Sequence, residues 1–195
     1  MKHPSNRELF DYWNERRGSR LAPDRGDIEP GAIRHVLGDT FVLEGNGIDN
    51  HQFRLAGTRL CALFGRELKT ESFNKLWQRS GQTAIRELIA VVVEEKVGIV
   101  ASVTGATSDD MLAPVGLEMI LLPLAHQSRG DARVLGAMAP MSVPYWLGAK
   151  AVGPLTLGMF RHIGAAAEAE VPLFKAAPGR LKHGLTVYDG GRVNR

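Results

Sequence analysis

The side chains that could do chemistry in this chain are few and lie far apart. Its one cysteine, Cys61, sits between Leu60 and Ala62, a setting typical of a buried structural thiol rather than of a reactive thiolate. No two of the six histidines have the i, i+4 spacing of a helical metal site; they are His3, His35, His51, His126, His162 and His183. We therefore predict no nucleophile at Cys61 and no metal site.

The acidic and glycine-rich stretches do not resemble an active site either. Adjacent carboxylates, as at Glu94 and Glu95 or Asp109 and Asp110, point in different directions on a helix or strand and cannot face one substrate as acid and base. Gly45–Gly47 lacks the strand, loop and helix order of a phosphate site and is typical of a hairpin turn. No Gly-x-Ser-x-Gly motif supplies a nucleophile. We predict a protein that is not an enzyme, with an enzyme whose site is assembled from distant residues as the alternative.

The length and composition of the chain limit the kinds of protein that it can be. The chain has 195 residues, of which 44% are hydrophobic and 23% charged, as expected for one folded domain with extensions. No apolar run approaches the length of a membrane span, and the first residues lack an apolar secretion signal, so we predict a cytoplasmic protein. A nucleic-acid-associated regulator is the second alternative. We do not favour it, because the basic residues of the tail neither cluster nor alternate with aromatic residues. They are Lys175, Arg180, Lys182 and Arg192.

The first predicted element is a helix from about Asn6 to Arg17, with Ser5 and Glu8 in a capping-box pattern. Its apolar stripe has no obvious place inside a sheet that another helix already covers. In a two-fold dimer the same stripe would serve on both chains. We therefore predict a homodimer interface on the stripe, with docking onto the helix's own domain as the alternative. The stripe consists of Leu9, Tyr12 and Trp13.

The following elements predict an α+β fold. Strands are indicated at Thr40–Glu44 and Phe53–Ala56, then at Val97–Thr104, Val115–Leu124 and Arg133–Ala139. An amphipathic helix spans Gln82–Lys96, and a short one follows Gly57, a residue that we expect to need a positive φ. Together these elements make a five-stranded antiparallel sheet with helices on one face, an N-terminal capping helix and a C-terminal extension. In the extension we expect partly extended structure at Leu155–Ile163 and a late edge strand at Leu185–Tyr188.

Two stretches carry a family resemblance, FRLAGTRLCALFGREL from Phe53 and RVLGAMAP from Arg133. Together with Phe73 and Trp77, which follow the first stretch, they resemble a bacterial single-domain PAS-like family. The resemblance covers about Asp27–Gly148. The chain then divides into an N-terminal helix and linker (1–26), a PAS-like domain (27–148) and an extension (149–195). The resemblance implies a sensory or signalling module that binds a small molecule, a partner protein, or both. It brings no catalytic residues and no output domain.

The resemblance also bears on cofactors. Light-sensing proteins of this fold attach flavin through a cysteine in a polar Asn-Cys-Arg-Phe-Leu-type motif, whereas Cys61 is flanked by apolar residues. Relatives that bind haem use a histidine on the long helix, and Gln82–Lys96 has none. We therefore predict that the protein carries no cofactor.

The candidate ligand-binding residues follow from the place where such folds hold a small molecule. The alternative is that Phe64 and Trp77 are core residues and that Arg54 is a surface or ion-paired arginine. The six candidates are Arg54, Thr58, Arg59, Phe64, Trp77 and Glu118.

Overall fold

The architecture combines helices with one antiparallel sheet, which confirms the predicted α+β class. The computed structural model describes residues 1–45, 51–107, 111–125 and 133–164. The predicted edge strand at Leu185–Tyr188 lies outside these residues. The helices and strands are α1 (Pro4–Arg17), β1 (Thr40–Gly45), β2 (His51–Ala56), α2 (Thr58–Phe64), α3 (Gln82–Glu94), β3 (Gly98–Thr107), β4 (Val115–Leu124), β5 (Arg133–Pro140) and β6 (Val152–Ile163).

The strands form one sheet in the order β2-β1-β5-β4-β3-β6, and every neighbouring pair is antiparallel. The register at its centre places Met119 of β4 between Ala101 of β3 and Met138 of β5. In the described part of the chain the sheet therefore has six strands where the sequence predicted five. The additional strand, β6, includes the stretch for which extended structure was expected and covers the outer edge of β3.

Both faces of the sheet are buried against helices. On one face α2 and α3 cover side chains such as Met119 and Leu121, and on the other α1 covers Ile120 and Leu122. This double burial explains why β4 has an almost continuous apolar sequence instead of an alternating one. The predicted capping helix therefore covers the sheet face opposite to α2 and α3.

The apolar stripe of α1 belongs to the core of its own chain. Leu9 and Trp13 are fully buried, and the Trp13 indole nitrogen donates a hydrogen bond to the carbonyl of Pro123 at 2.8 Å. The Tyr12 hydroxyl accepts a hydrogen bond from the amide of Glu29 at 2.8 Å. The prediction that Leu9, Tyr12 and Trp13 form a dimer interface is therefore wrong, because these side chains fill the space between α1 and the sheet. A homodimer stays a prediction and would need another surface.

Gly57 is required for a different reason from the one predicted. Its φ is −71°, which any residue adopts, so the expected positive φ is wrong. A side-chain β carbon at Gly57 would collide with the carbonyl oxygens of Leu37 and Gly38, because the chain before β1 crosses the start of α2 at this point. The Gly57 amide also donates to the carbonyl of Thr40 at 2.8 Å.

We expect Gly57→Ala to lower the free energy of unfolding by about 2 kcal/mol or more, since two backbone segments must separate to admit the methyl group. Denaturant unfolding measures this change. Gly116→Ala is the matched control, because a β carbon there meets no atom within 4 Å. Equal stability of the two variants would contradict the close approach.

The stripe of α1 generates a second prediction. Replacing Leu9 and Trp13 together by serine should cost more than about 4 kcal/mol and unfold the protein, because both side chains lose full burial. Circular dichroism and light scattering would measure folding and mass. Serine at the exposed positions Asp11 and Glu15 of the same helix is the control. A folded double variant of half the wild-type mass would restore the dimer interpretation.

Candidate functional site

Aromatic side chains form a buried cluster in the interior between the sheet and α2 and α3. The rings of Phe41, Phe53 and Phe73 lie with their centroids 5.5–5.6 Å apart, and Trp77 contacts Phe73 at 5.7 Å. Phe64 belongs to the same buried cluster. These distances are those of packed aromatic pairs. Of the candidate ligand residues, Phe64 and Trp77 are therefore core residues, as the alternative interpretation held.

Arg54 and Thr58 lie apart from each other on the surface. Arg54 pairs with Glu44 on the neighbouring strand at 3.1 Å, and Arg133 holds the same carboxylate at 2.8 Å. Burial acts to raise the pKa of Glu44, but the hydrogen bonds from Arg133 and Arg54 outweigh it, and the pKa is lowered. Thr58 stands at the rim of an apolar cavity of about 290 Å³ that includes Ile33. The structure does not bring Arg54 and Thr58 into one site.

Asp39, which directly precedes β1, forms hydrogen bonds with residues of α1 and α2 beside the first turn of α1. Its carboxylate is 5% exposed and accepts two hydrogen bonds from Arg59 of α2, from Nε to Oδ1 at 2.7 Å and from Nη2 to Oδ2 at 2.8 Å. The Ser5 hydroxyl donates to Oδ2 at 2.8 Å. Ser5 lies inside α1, whose N-cap residue is His3, so the predicted capping box of Ser5 and Glu8 is wrong. Hydrogen bonding to Asp39 raises the pKa of Arg59, which keeps the guanidinium charged.

Glu118 of β4 holds the same turn from the sheet. Its carboxylate is 8% exposed and accepts hydrogen bonds from the amides of Lys2 at 2.7 Å and His3 at 2.9 Å, and from the Asn6 side chain at 3.2 Å. Burial acts to raise the pKa of Glu118, but the amides of His3 and Lys2 and the Asn6 side chain outweigh it, so the pKa is lowered. Glu118 is thus a structural anchor for α1.

The carboxylates of Asp39 and Glu118 also place negative charge beside the amino-terminal end of α1. The first turn of this helix contains no acidic residue, although its unpaired amides favour negative charge. Asp39 and Glu118 supply that charge from outside the helix. Sequence reasoning missed Asp39 because its partners come from α1 and α2, and the only local signal is an aspartate directly before a strand.

Two surface cavities adjoin this turn. The first, which we call the α2 crevice, has a volume of about 410 Å³ and lies between the start of α1, α2 and the end of β5. The second, which we call the methionine groove, has a volume of about 440 Å³ and lies between the start of α1 and β6. The α2 crevice is lined by residues that include His3, Asp39, Arg59, Leu63 and Met138. The methionine groove is lined by residues that include Lys2, Glu118, Met141, Met159, Phe160 and Arg161.

Reactive groups are sparse in the described residues. Burial raises the pKa of the Cys61 thiol, whose sulfur lies 3.6 Å from the Glu67 carboxylate. A thiol of raised pKa is a weak nucleophile at neutral pH. Residues 1–45, 51–107, 111–125 and 133–164 contain no group of three or more histidine, cysteine or acidic side chains that could hold a metal ion. None of their helices has the length and apolar character needed to cross a membrane.

The Glu118 anchor predicts a pH dependence. The folded-state pKa lies below the ordinary value of 4.5, so the stabilisation is complete above that pH and is lost as the pH falls below it. Near neutral pH, Glu118→Gln should lower the free energy of unfolding by about 1.5–3 kcal/mol. Below about pH 4.5 the difference from wild type should shrink.

Denaturant unfolding across this pH range measures the effect. Glu8→Gln, at an exposed position of the same helix, is the control and should change stability by less than about 0.5 kcal/mol. If wild type and Glu118→Gln lost stability in parallel on acidification, Glu118 would not be the anchor.

Comparison with known proteins agrees with this architecture. A family model described as PAS domain matches residues 1–139, which is most of the chain. The matched segment includes α1 and ends before β6. No curated protein matches the sequence. Because the family model covers more than half of the chain, the protein belongs to the PAS domain family.

Proposed function

We propose that this PAS domain is a sensory and signalling module that is not an enzyme and that acts by contact with a partner protein. The observation that carries this proposal is the methionine groove, an open apolar surface on the sheet face that α1 covers only in part. In the described part of the chain, the interior between the sheet and α3 holds the packed aromatic cluster around Phe73. A surface contact is then the most direct route for a signal.

The groove has the composition of a protein-binding surface. Met159 is 87% exposed, and Met141, which is about half exposed, lines the same groove. Methionine side chains are flexible and polarizable, and they are common on surfaces that bind helices. A register shift between β3 and β6 near Ala101 inserts an extra residue of β6, where the Ser102 hydroxyl donates to the Met159 carbonyl at 3.1 Å. Such bulges redirect side chains and are retained for a purpose.

The charges around the groove indicate the chemistry of the partner. Lys2 and Arg161 are exposed and line it, whereas the carboxylate of Glu118 is already occupied by the amides of α1. A partner segment should therefore carry acidic residues beside apolar ones. We propose an amphipathic acidic helix of another signalling protein as the occupant. Met141, Met159 and Phe160 lie beyond the segment that the family model matches.

Photo-crosslinking in cells that naturally contain the protein tests this proposal. A photoreactive phenylalanine derivative at position 159 should yield a discrete protein adduct. The adduct should disappear when Lys2 and Arg161 are replaced by glutamate, because the charge complementarity is reversed. The control carries the same derivative at Met111, which is 92% exposed and does not line the groove. Identical adducts at both positions, or no adduct at position 159, would contradict the proposed surface.

A further inference from the structure

We propose that the α2 crevice binds a small organic monocarboxylic acid, with Arg59 holding the carboxylate and the apolar wall holding the body of the molecule. This site is separate from the methionine groove and goes beyond the proposed signalling contact. It rests on three features of the crevice, which are its oriented cation, its second donor and its apolar lining.

The cation is Arg59, which Asp39 holds in one orientation. A guanidinium has five N–H groups. The Nε proton and one Nη2 proton go to Asp39, and the other Nη2 proton goes to the carbonyl of His35 at 3.0 Å. The two protons of Nη1 donate to no described residue. Arg59 lines the crevice, and the two Nη1 protons are available to donate to a carboxylate oxygen.

The Asp39 carboxylate does not turn the crevice into a cation site. Its two oxygens already accept from Arg59 twice and from Ser5 once. With its charge balanced by Arg59, it adds little attraction for a cationic ligand. The Asp39–Arg59 pair has no net charge, so the crevice offers hydrogen-bond donors rather than an excess of positive charge. Such donors suit a ligand with a single negative charge better than a multiply charged phosphate.

The second donor is His3, at the start of α1. Its Nδ1 accepts a hydrogen bond from the Ser5 amide at 3.2 Å. In the neutral ring the proton must then lie on Nε2, which is a donor. His3 lines the crevice together with Arg59, so its Nε2 proton is available as a second donor to a ligand in the crevice.

The rest of the crevice is apolar. Leu63 and Met138 form its inner wall, and Val143 and Leu147 from the connection between β5 and β6 form its outer wall. A volume of about 410 Å³ lies within the usual range of small-molecule sites. A polar anchor at one end of an apolar pocket selects an acid with an aliphatic or aromatic body.

Methyl NMR with octanoate as the probe tests the site, using protein labelled at the methionine methyl groups. Octanoate should shift the Met138 methyl resonance in a saturable way and leave that of the exposed Met111 unchanged. Octanol is the matched ligand control, because it has the same chain length and no charge. It should bind at least tenfold more weakly than octanoate.

Two variants, with one control, test whether octanoate binds in the α2 crevice and contacts Arg59. Ala62→Trp fills the crevice from the exposed side of α2 and should weaken octanoate binding at least tenfold, whereas Ala84→Trp, at an exposed position of α3, should leave it unchanged. Arg59→Lys keeps the charge, but a single ammonium group cannot hold both oxygens of Asp39 and also present a separate amino group to the ligand, so binding should weaken at least fivefold.

The proposal is overturned by equal binding of octanol and octanoate, by the absence of a saturable Met138 shift, or by an Ala62→Trp variant that binds like wild type. None of these results bears on the photo-crosslink at position 159. The failure of the acid site and the failure of the proposed signalling contact are therefore distinguishable.

Discussion

The fold depends on two buried carboxylates that hold the first turn of α1. Asp39 ties this turn to α2 through Arg59, and Glu118 ties it to the sheet through the amides of Lys2 and His3. A buried charge without partners is costly, so each carboxylate requires the helix as much as the helix requires the carboxylate. Once the turn is fixed, the stripe of α1 can cover its face of the sheet, and β4 can be apolar on both sides.

This arrangement places the surfaces available for signalling at the rim of the domain. The interior beside α3 contains packed aromatic rings, and the α2 crevice and the methionine groove both open beside the start of α1. Both cavities use residues beyond position 139, where the match to the family model ends. The segment matched by the family model thus forms most of the fold, and the connection after β5 together with β6 completes the walls of both cavities.

Local sequence patterns predicted most of the helices and strands, but not which other elements they pack or pair with. The alternation in β3 and the helical spacing of Ile85, Leu88, Ile89 and Val92 in α3 predicted these elements because each buries one face. The strand β6 was indicated only as extended structure, since Gly153, Pro154 and Gly158 interrupt its alternation and its stability comes from pairing with β3. The pattern of α1 showed that Trp13 must be buried, but not against what. The Glu118 contact joins residues 116 positions apart, which no local pattern reveals.

The two cavities share one piece of backbone, and this has a thermodynamic consequence. His3 lines the α2 crevice and Lys2 lines the methionine groove, yet the amides of both donate to the carboxylate of Glu118. An occupant of either cavity that shifts this turn must change the hydrogen bonds that the other cavity depends on. Coupling of this kind is reciprocal, and its size cannot exceed the difference in affinity that each occupant has for the displaced and the undisplaced turn.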